Sequence, residues 1–232
     1  MTDLLFPKAV FSAFLLSAGL SAAPPEKLEL AKGQHVAIVG NGLADRMQHH
    51  AWLETLIQSR FPTYNLVFRN LAVAGDEVVT RLRSDDFGTP DKWLKKSEAD
   101  VILAFFGFNE SFASYAGVEK FKADLDKWIK GSRAQKYNGK GAPQLVLFSP
   151  IAEENLKDPN FSDGSTTNAN LLHYTDAMAE VAKANDVLFI DLFKPSQELY
   201  AKASKPLTID GVHLTEAGDK ALAPLVFGGP SA

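Results

Sequence analysis

Short apolar runs alternate with segments of helical periodicity along most of the chain. Five runs have the length and composition of buried strands, and they lie at 35–40, 65–69, 99–106, 144–148 and 187–190. The clearest helical pattern follows the third run, with apolar side chains on one face at Val118, Phe121, Leu125, Trp128 and Ile129. Strands that alternate with helices predict a five-stranded parallel sheet covered on both faces, a three-layer α/β/α sandwich.

The remaining helices are placed by weaker periodic patterns and by helix breakers. We expect one helix over about 44–60, with a phase slip at His49 and His50. Further helices are expected in four places, near Trp93, at 168–185, at 196–203 and from Thr215 onward. The sequence therefore predicts a single domain over residues 34–226, followed by a linker or tail at 227–232 where glycines and a proline break the last helix.

Composition and charge exclude several classes of function. The chain has 232 residues, of which 46% are apolar, enough for one domain with a substantial core. Its net charge is -4 and its Lys and Arg residues are scattered, so we expect no nucleic-acid partner. The absence of cysteine excludes disulfides, thiolate nucleophiles and Cys-ligated zinc. Adjacent helical residues such as His49 and His50 point in different directions, so we expect no metal site at them. We also expect no cofactor.

The N-terminus has the pattern of an export signal. Lys8 is followed by an apolar run at 9–20 and then by the small residues Ser21-Ala22-Ala23, which fit a cleavage site. The run is shorter than the roughly 20 apolar residues that a membrane-spanning helix needs, so we expect no membrane span in the mature chain. The alternative is a buried first helix. We interpret residues 1–23 as a signal peptide and expect a periplasmic or extracellular protein.

The carboxyl ends of the predicted strands should meet at one edge of the sheet, where ligands bind in folds of this type. The loops at that edge are 40–46, 70–76, 107–111 and 149–155. Near the C-terminus, Asp210 precedes His213 by three residues in a turn that contains glycine. A carboxylate at this spacing can hold an imidazole in one tautomer, as a general base requires. The same pair could instead cap a helix that begins at Thr215.

Four motifs at these positions resemble the blocks of the SGNH or GDSL hydrolases, which are esterases and lipases with a flavodoxin-like α/β fold. The blocks of that family are Gly-Asp-Ser, a glycine that follows an asparagine, Gly-x-Asn-Asp, and Asp-x-x-His. The matching stretches are Gly40-Asn41-Gly42-Leu43, Asn70 to Gly75, Gly107-Phe108-Asn109-Glu110, and Asp210 with His213. The resemblance covers about residues 34–226 and implies an acyl or acetyl ester, acylated carbohydrates included, as the ligand.

The resemblance implies a role for each matching residue. In the family a serine attacks the ester carbonyl, a histidine takes its proton and an aspartate orients the histidine. Carried over, the catalytic base and its partner are His213 and Asp210, while Gly42 occupies the position of the nucleophile. The oxyanion hole would be formed by donors on Gly42, Gly75 and Asn109. Supporting positions, at which the family has aspartates, are Asn41 and Glu110.

The missing serine separates two functional interpretations. In the first, the domain keeps the pocket and binds an ester, but its catalysis is impaired. In the second, His213 activates a water molecule in the space that the serine leaves. A displaced nucleophile, Ser111 or Ser149, is less favoured because the geometry of attack tolerates little misplacement.

Each motif also has a structural interpretation that needs no ligand. Asn109 could bond its own backbone in a turn, and Gly75 or Gly107 could serve turn geometry alone. Gly42 could be required by a backbone with positive φ.

A nucleotide-binding domain is the least favoured alternative. Gly40-x-Gly42 after the first strand is similar to a dinucleotide-binding loop. However, Asp45 occupies the third glycine position, and the second strand ends in Arg69-Asn70 rather than in an acid. The expected partner is therefore a small-molecule ester, as the resemblance implies. The sequence gives no indication of an oligomeric state.

Overall fold

The computed structural model of the chain describes residues 28–81 and 84–228. The expected signal peptide at 1–23 and the last four residues of the expected tail lie outside this part. The strands are β1 (His35–Gly40), β2 (Val67–Asn70), β3 (Val101–Phe105), β4 (Gln144–Phe148) and β5 (Leu188–Ile190). The helices are α1 (Gly42–His50), α2 (Trp52–Arg60), α3 (Ser84–Phe87), α4 (Pro90–Lys96), α5 (Val118–Arg133), α6 (Ser165–Ala184), α7 (Phe193–Lys202) and α8 (Glu216–Gly228).

The five strands run parallel in the order β2-β1-β3-β4-β5. This is the strand order of flavodoxin-like folds, and it confirms the predicted five-stranded parallel sheet. The order reverses between β1 and β3, so the crevice for a ligand lies beyond the carboxyl ends of these two strands. Gly40 pairs there with Phe105, and a side chain at Gly40 would collide with the Phe105 carbonyl oxygen.

Side chains of the strands alternate between the two faces of the sheet, as expected for strands buried on both sides. Ile102 and Ala104 of β3 belong to the core formed with α5 and α6. Val101, Leu103 and Phe105 of the same strand belong to the core formed with α1, α2 and α8. Helices therefore cover each face, which confirms the predicted three-layer α/β/α sandwich.

The expected single helix at 44–60 is wrong, because this segment forms α1 and α2, which meet at Ala51. Ala51 adopts a left-handed conformation with φ 54°, and its N–H donates to the Met47 carbonyl at 2.9 Å. The phase slip in the sequence marks this break. Apolar positions before and after it would face different sides of one continuous helix, whereas the turn lets both Met47 and Leu53 become buried.

The last helix, α8, extends to Gly228. The Phe227 ring packs edge-on against Phe61 with their centroids 5.9 Å apart. In the part of the chain that the structure describes, we find no helix with the length and hydropathy needed to cross a bilayer.

Candidate active site

A cavity of about 200 Å³ lies at the carboxyl edge of the sheet. Its walls come from the start of α1, the loops that follow β2, β3 and β4, and the segment that precedes α8. Among the residues that line it are Gly42, Gly75, Asn109 and His213. The structure thus brings four candidate site residues from separate segments to one cavity.

Asp210 and His213 form a hydrogen-bonded pair at one wall of this cavity. Asp210 Oδ1 accepts the His213 backbone N–H at 2.8 Å, and Asp210 Oδ2 lies 2.7 Å from His213 Nδ1. Because a carboxylate can only accept, Nδ1 carries the proton and the neutral ring presents the lone pair of Nε2. Nε2 has no hydrogen-bond partner among the described residues. The ring is therefore held in the tautomer and orientation that a general base needs.

Asp210 is kept in its charged form beside this ring. Burial acts to raise the pKa of Asp210, but hydrogen bonds from His213 and from the Val212 N–H outweigh it and hold the pKa below its usual value. The alternative in which this pair caps α8 is not observed. Thr215 Oγ1 accepts the Gly218 N–H at 3.1 Å, so Thr215 caps that helix.

Gly42 begins α1 and does not have positive φ, so the backbone does not require glycine here. A Cβ built on Gly42 would lie 3.8 Å from His213 Nε2 and would meet no other heavy atom within 4 Å beyond its immediate surroundings in the helix. The Asn41 side chain caps the helix by accepting the Leu43 N–H at 3.3 Å. The Gly42 N–H belongs to the first turn and has no acceptor within the helix. The side-chain direction at position 42 therefore opens toward the free nitrogen of His213.

Gly75 and Asn109 supply further donors at the cavity. Gly75 has φ 89°, and a Cβ there would meet no atom within 4 Å, so conformation rather than space favours glycine. Asn109 precedes a 3-10 turn at Glu110–Ala113, and its side chain makes no capping hydrogen bond. Within residues 28–81 and 84–228, neither the Gly75 N–H nor the Asn109 amide donates to a protein acceptor. Both groups are free to bind a ligand oxygen.

Glu110 joins two of the loops that form the site. Its Oε1 accepts the Val78 N–H at 2.9 Å, and its Oε2 accepts the Gly107 N–H at 2.9 Å. Burial raises the pKa of Glu110 above its ordinary value, although these hydrogen bonds oppose the effect. The carboxyl group thereby holds the loop of Asn109 against the loop that follows Gly75.

Ser111 and Ser149, the two candidate displaced nucleophiles, do not line this cavity. Ser111 is buried, and its hydroxyl donates to the Phe108 carbonyl at 2.6 Å. Ser149 is also buried, and its Oγ accepts the Leu192 N–H at 2.8 Å. Both hydroxyls are engaged in local structure, so the geometry favours neither as a nucleophile.

The segment before α8 is anchored by Glu154, a residue that the sequence patterns did not indicate. Its buried carboxylate accepts the Leu207 N–H at 3.0 Å, the Thr208 N–H at 2.7 Å and the Thr208 hydroxyl at 2.6 Å. Its backbone N–H donates to the Gly211 carbonyl at 2.7 Å. These bonds fix the turn that carries the Asp–His pair.

Arg46, His50 and Asp219 also line the cavity, and we call them its polar end. Asp219 is buried, and burial raises its pKa to about 6 against the opposing charge of His50. The helical periodicity of the sequence could have indicated that Asp219 is buried, since this residue lies on the apolar face of the last helix beside Leu222 and Ala223. Among the described residues, we find no cluster of three or more His, Asp or Glu side chains placed to hold a metal ion.

This strand order, with its cavity at the switch between β1 and β3, is the scaffold of the SGNH class of hydrolases. Residues 38–221 match the GDSL-like lipase/acylhydrolase family, and the chain belongs to that family. The resemblance found in the sequence is thereby confirmed. No curated protein matches the chain.

Solved structures of hydrolases share the fold. The acetylxylan esterase from Geobacillus stearothermophilus has a TM-score of 0.66 at 16% identity, over 85% of this chain and 94% of that chain. An alpha/beta hydrolase enzyme from the metagenome of Lake Arreo, Spain, has a TM-score of 0.62 at 19% identity, over 84% of this chain and 94% of that chain. Catalytic mutants of the acetylxylan esterase replace a serine, an aspartate or a histidine by alanine.

Proposed function

We propose that the cavity binds an acyl or acetyl ester and that Gly42 stands where the nucleophilic serine of an active relative would stand, so that catalysis is impaired. The observation that carries this proposal is the 3.8 Å between a Cβ on Gly42 and His213 Nε2. A hydroxyl on that carbon would come within hydrogen-bonding reach of the imidazole. On this proposal, Asp210 and His213 are a retained base that has no serine to activate.

The donors around the cavity support binding of an ester carbonyl. Its oxygen would accept from the Gly42 and Gly75 N–H groups and from the Asn109 amide, which together serve as an oxyanion hole. The acyl group would lie against apolar walls that include Met47 and Ile151. We include acetylated carbohydrates among the candidate ligands, since a neighbour of the same fold is an acetylxylan esterase.

A second candidate function is slow hydrolysis by a water molecule that His213 activates. The observation in its favour is the free Nε2, which faces the open space beside Gly42. An oxyanion hole and substrate binding alone can leave roughly 10³–10⁴-fold catalysis over water. Weak turnover that depends on His213 is therefore consistent with this site.

A panel of p-nitrophenyl esters from acetyl to octanoyl, together with acetylated sugars, tests the proposal. We expect saturable binding by the parent, with turnover that is weak and is abolished in His213→Ala. The control is His49→Ala, which removes an exposed histidine of α1 that does not line the cavity. Failure of every ester to bind would contradict the ester site, and turnover that survives in His213→Ala would contradict the role of the imidazole.

We also propose that the protein is exported. The support is the basic, apolar and small-residue pattern that ends at Ala23. Cell fractionation with N-terminal sequencing should find a mature chain that begins close after Ala23 outside the cytoplasm. A full-length chain confined to the cytoplasm would contradict export.

A further inference from the structure

The polar end of the cavity holds groups that the proposed ester chemistry does not use. Gly42, Arg46 and His50 follow one another at four-residue intervals in α1, so they share one face of the helix. With a rise of about 1.5 Å per residue, Arg46 lies about 6 Å and His50 about 12 Å along the axis from Gly42. Asp219, in the first turn of α8, lines the same cavity. The cavity therefore extends from the ester centre to a second set of polar groups.

Two atoms at this polar end lack partners. Asp219 is 4% exposed, and its Oδ2 is buried without a hydrogen bond among the described residues. The backbone N–H of Trp52 lies beside the carboxylate, but Oδ2 has no hydrogen bond. Arg46 contacts the Leu214 carbonyl through Nη2 at 3.5 Å, whereas its Nε is buried and unpaired. Buried polar atoms nearly always have partners, and the side chains that carry this unpaired acceptor and this unpaired donor both line the cavity.

We propose that the polar end is a subsite for a hydroxyl group of the ligand, one to two helical turns from the ester carbonyl. A hydroxyl can donate to Asp219 Oδ2 and accept from the Arg46 Nε–H, which a methyl group or a carbonyl cannot do. The positive charge of Arg46 disfavours an ammonium group, and the carboxylate of Asp219 disfavours an acid. The ligand class is thus a hydroxylated ester, such as a partly acylated sugar or polyol, rather than a plain fatty ester.

This inference rests on the proposed function, because the spacing is counted from the ester centre at Gly42. A matched pair of ligands separates the two claims. Hexyl acetate and 6-hydroxyhexyl acetate differ by one hydroxyl at the end of the alcohol chain, and their binding is measured by NMR titration of the intact parent protein. One or two hydrogen bonds correspond to about a three- to thirtyfold preference for the hydroxylated ester.

Two substitutions on different helices test the subsite. Arg46→Met keeps the length of the side chain without the Nε donor, and Asp219→Leu keeps the approximate shape without the acceptor. Each should bring the affinity ratio of the two esters to within about twofold of unity. The control is Asp176→Leu, which removes an exposed aspartate of α6 that does not line the cavity and should keep the parent ratio.

The outcomes distinguish the subsite from the ester site. Equal binding of the two esters by the parent would overturn the subsite while the ester site stands. A preference that persists in both Arg46→Met and Asp219→Leu would also overturn it. Binding of neither ester would contradict the proposed ester site and the subsite that rests on it.

Discussion

Replacing Asp219 by asparagine should change how the stability of the fold depends on pH. Burial disfavours the charged carboxylate, so the folded-state pKa of about 6 lies above the ordinary value of 3.8. Between these two pH values the folded chain retains a proton that the unfolded chain has released. The free energy of unfolding therefore falls as the pH rises through this window, and the lost stability is not recovered above it.

The two pKa values set the magnitude of this effect. The folded and unfolded pKa values differ by about two units, and each unit corresponds to about 1.4 kcal/mol. The loss in the free energy of unfolding is therefore roughly 2–3 kcal/mol. Asp219 is 4% exposed, so screening by solvent does not diminish this figure greatly. Asparagine has a similar shape and cannot ionise. Relative to the parent, Asp219→Asn should therefore gain roughly 2–3 kcal/mol of stability between about pH 4 and pH 7.

Urea unfolding of both proteins at a series of pH values measures this difference. Asp176→Asn is the control, because it makes the same substitution at an exposed position of α6. A stability difference between Asp219→Asn and the parent that stays constant within about 0.5 kcal/mol from pH 4 to 7 would refute the raised pKa of Asp219.

Three further outcomes follow from the contacts of the fold. Glu154→Ala should lower the free energy of unfolding by about 3–5 kcal/mol, because it leaves buried N–H groups without an acceptor, and unchanged urea unfolding would contradict this. Gly40→Ala should disrupt folding, since its Cβ would collide with a carbonyl oxygen of β3. Gly131→Ala, at an open position of α5, should instead stabilise the folded protein by about 1 kcal/mol. Thermal unfolding of the two variants and the parent tests both expectations. A fluorophosphonate should label neither Ser111 nor Ser149 in the parent, and an adduct mapped to either serine would show a displaced nucleophile.

The sheet and the meeting of its loops could be predicted from the sequence for identifiable reasons. Buried parallel strands appear as continuous apolar runs, and the run at 99–106 contains the central strand β3. Parallel strands place their carboxyl ends at one edge, so motifs after separate strands had to converge. The structure accordingly places Gly42, Gly75 and Asn109 on the cavity that also contains His213.

Other features depend on contacts that local patterns do not report. The left-handed turn at Ala51 ends α1 although alanine is a strong helix former, because packing of both flanking helices against the sheet overrides local preference. Glu154 anchors the segment before α8 through Leu207 and Thr208, which follow it by 53 and 54 residues in the sequence. Asp219 lies in a helix whose periodicity indicated burial, but its neighbour His50 comes from a distant segment.

The nucleophile position is tested most directly by the Gly42→Ser variant, analysed by intact-protein mass spectrometry after treatment with a fluorophosphonate. Gly42 does not have positive φ, and a Cβ there meets only His213 Nε2 at 3.8 Å, so the variant should fold as the parent does. A complete triad adds about 10²–10³ in rate beyond the oxyanion hole and binding, and with Asn41 and Glu110 at the supporting positions we expect a gain of about tenfold or more on short acyl esters.

The account predicts one adduct per chain on the introduced serine, no adduct on the parent, and loss of both labelling and activity when His213→Ala is combined with Gly42→Ser. A Gly42→Ser protein that unfolds at the same urea concentration as the parent, yet remains unlabelled and gains no esterase activity, would contradict the claim that Gly42 occupies the nucleophile position of a poised ester site.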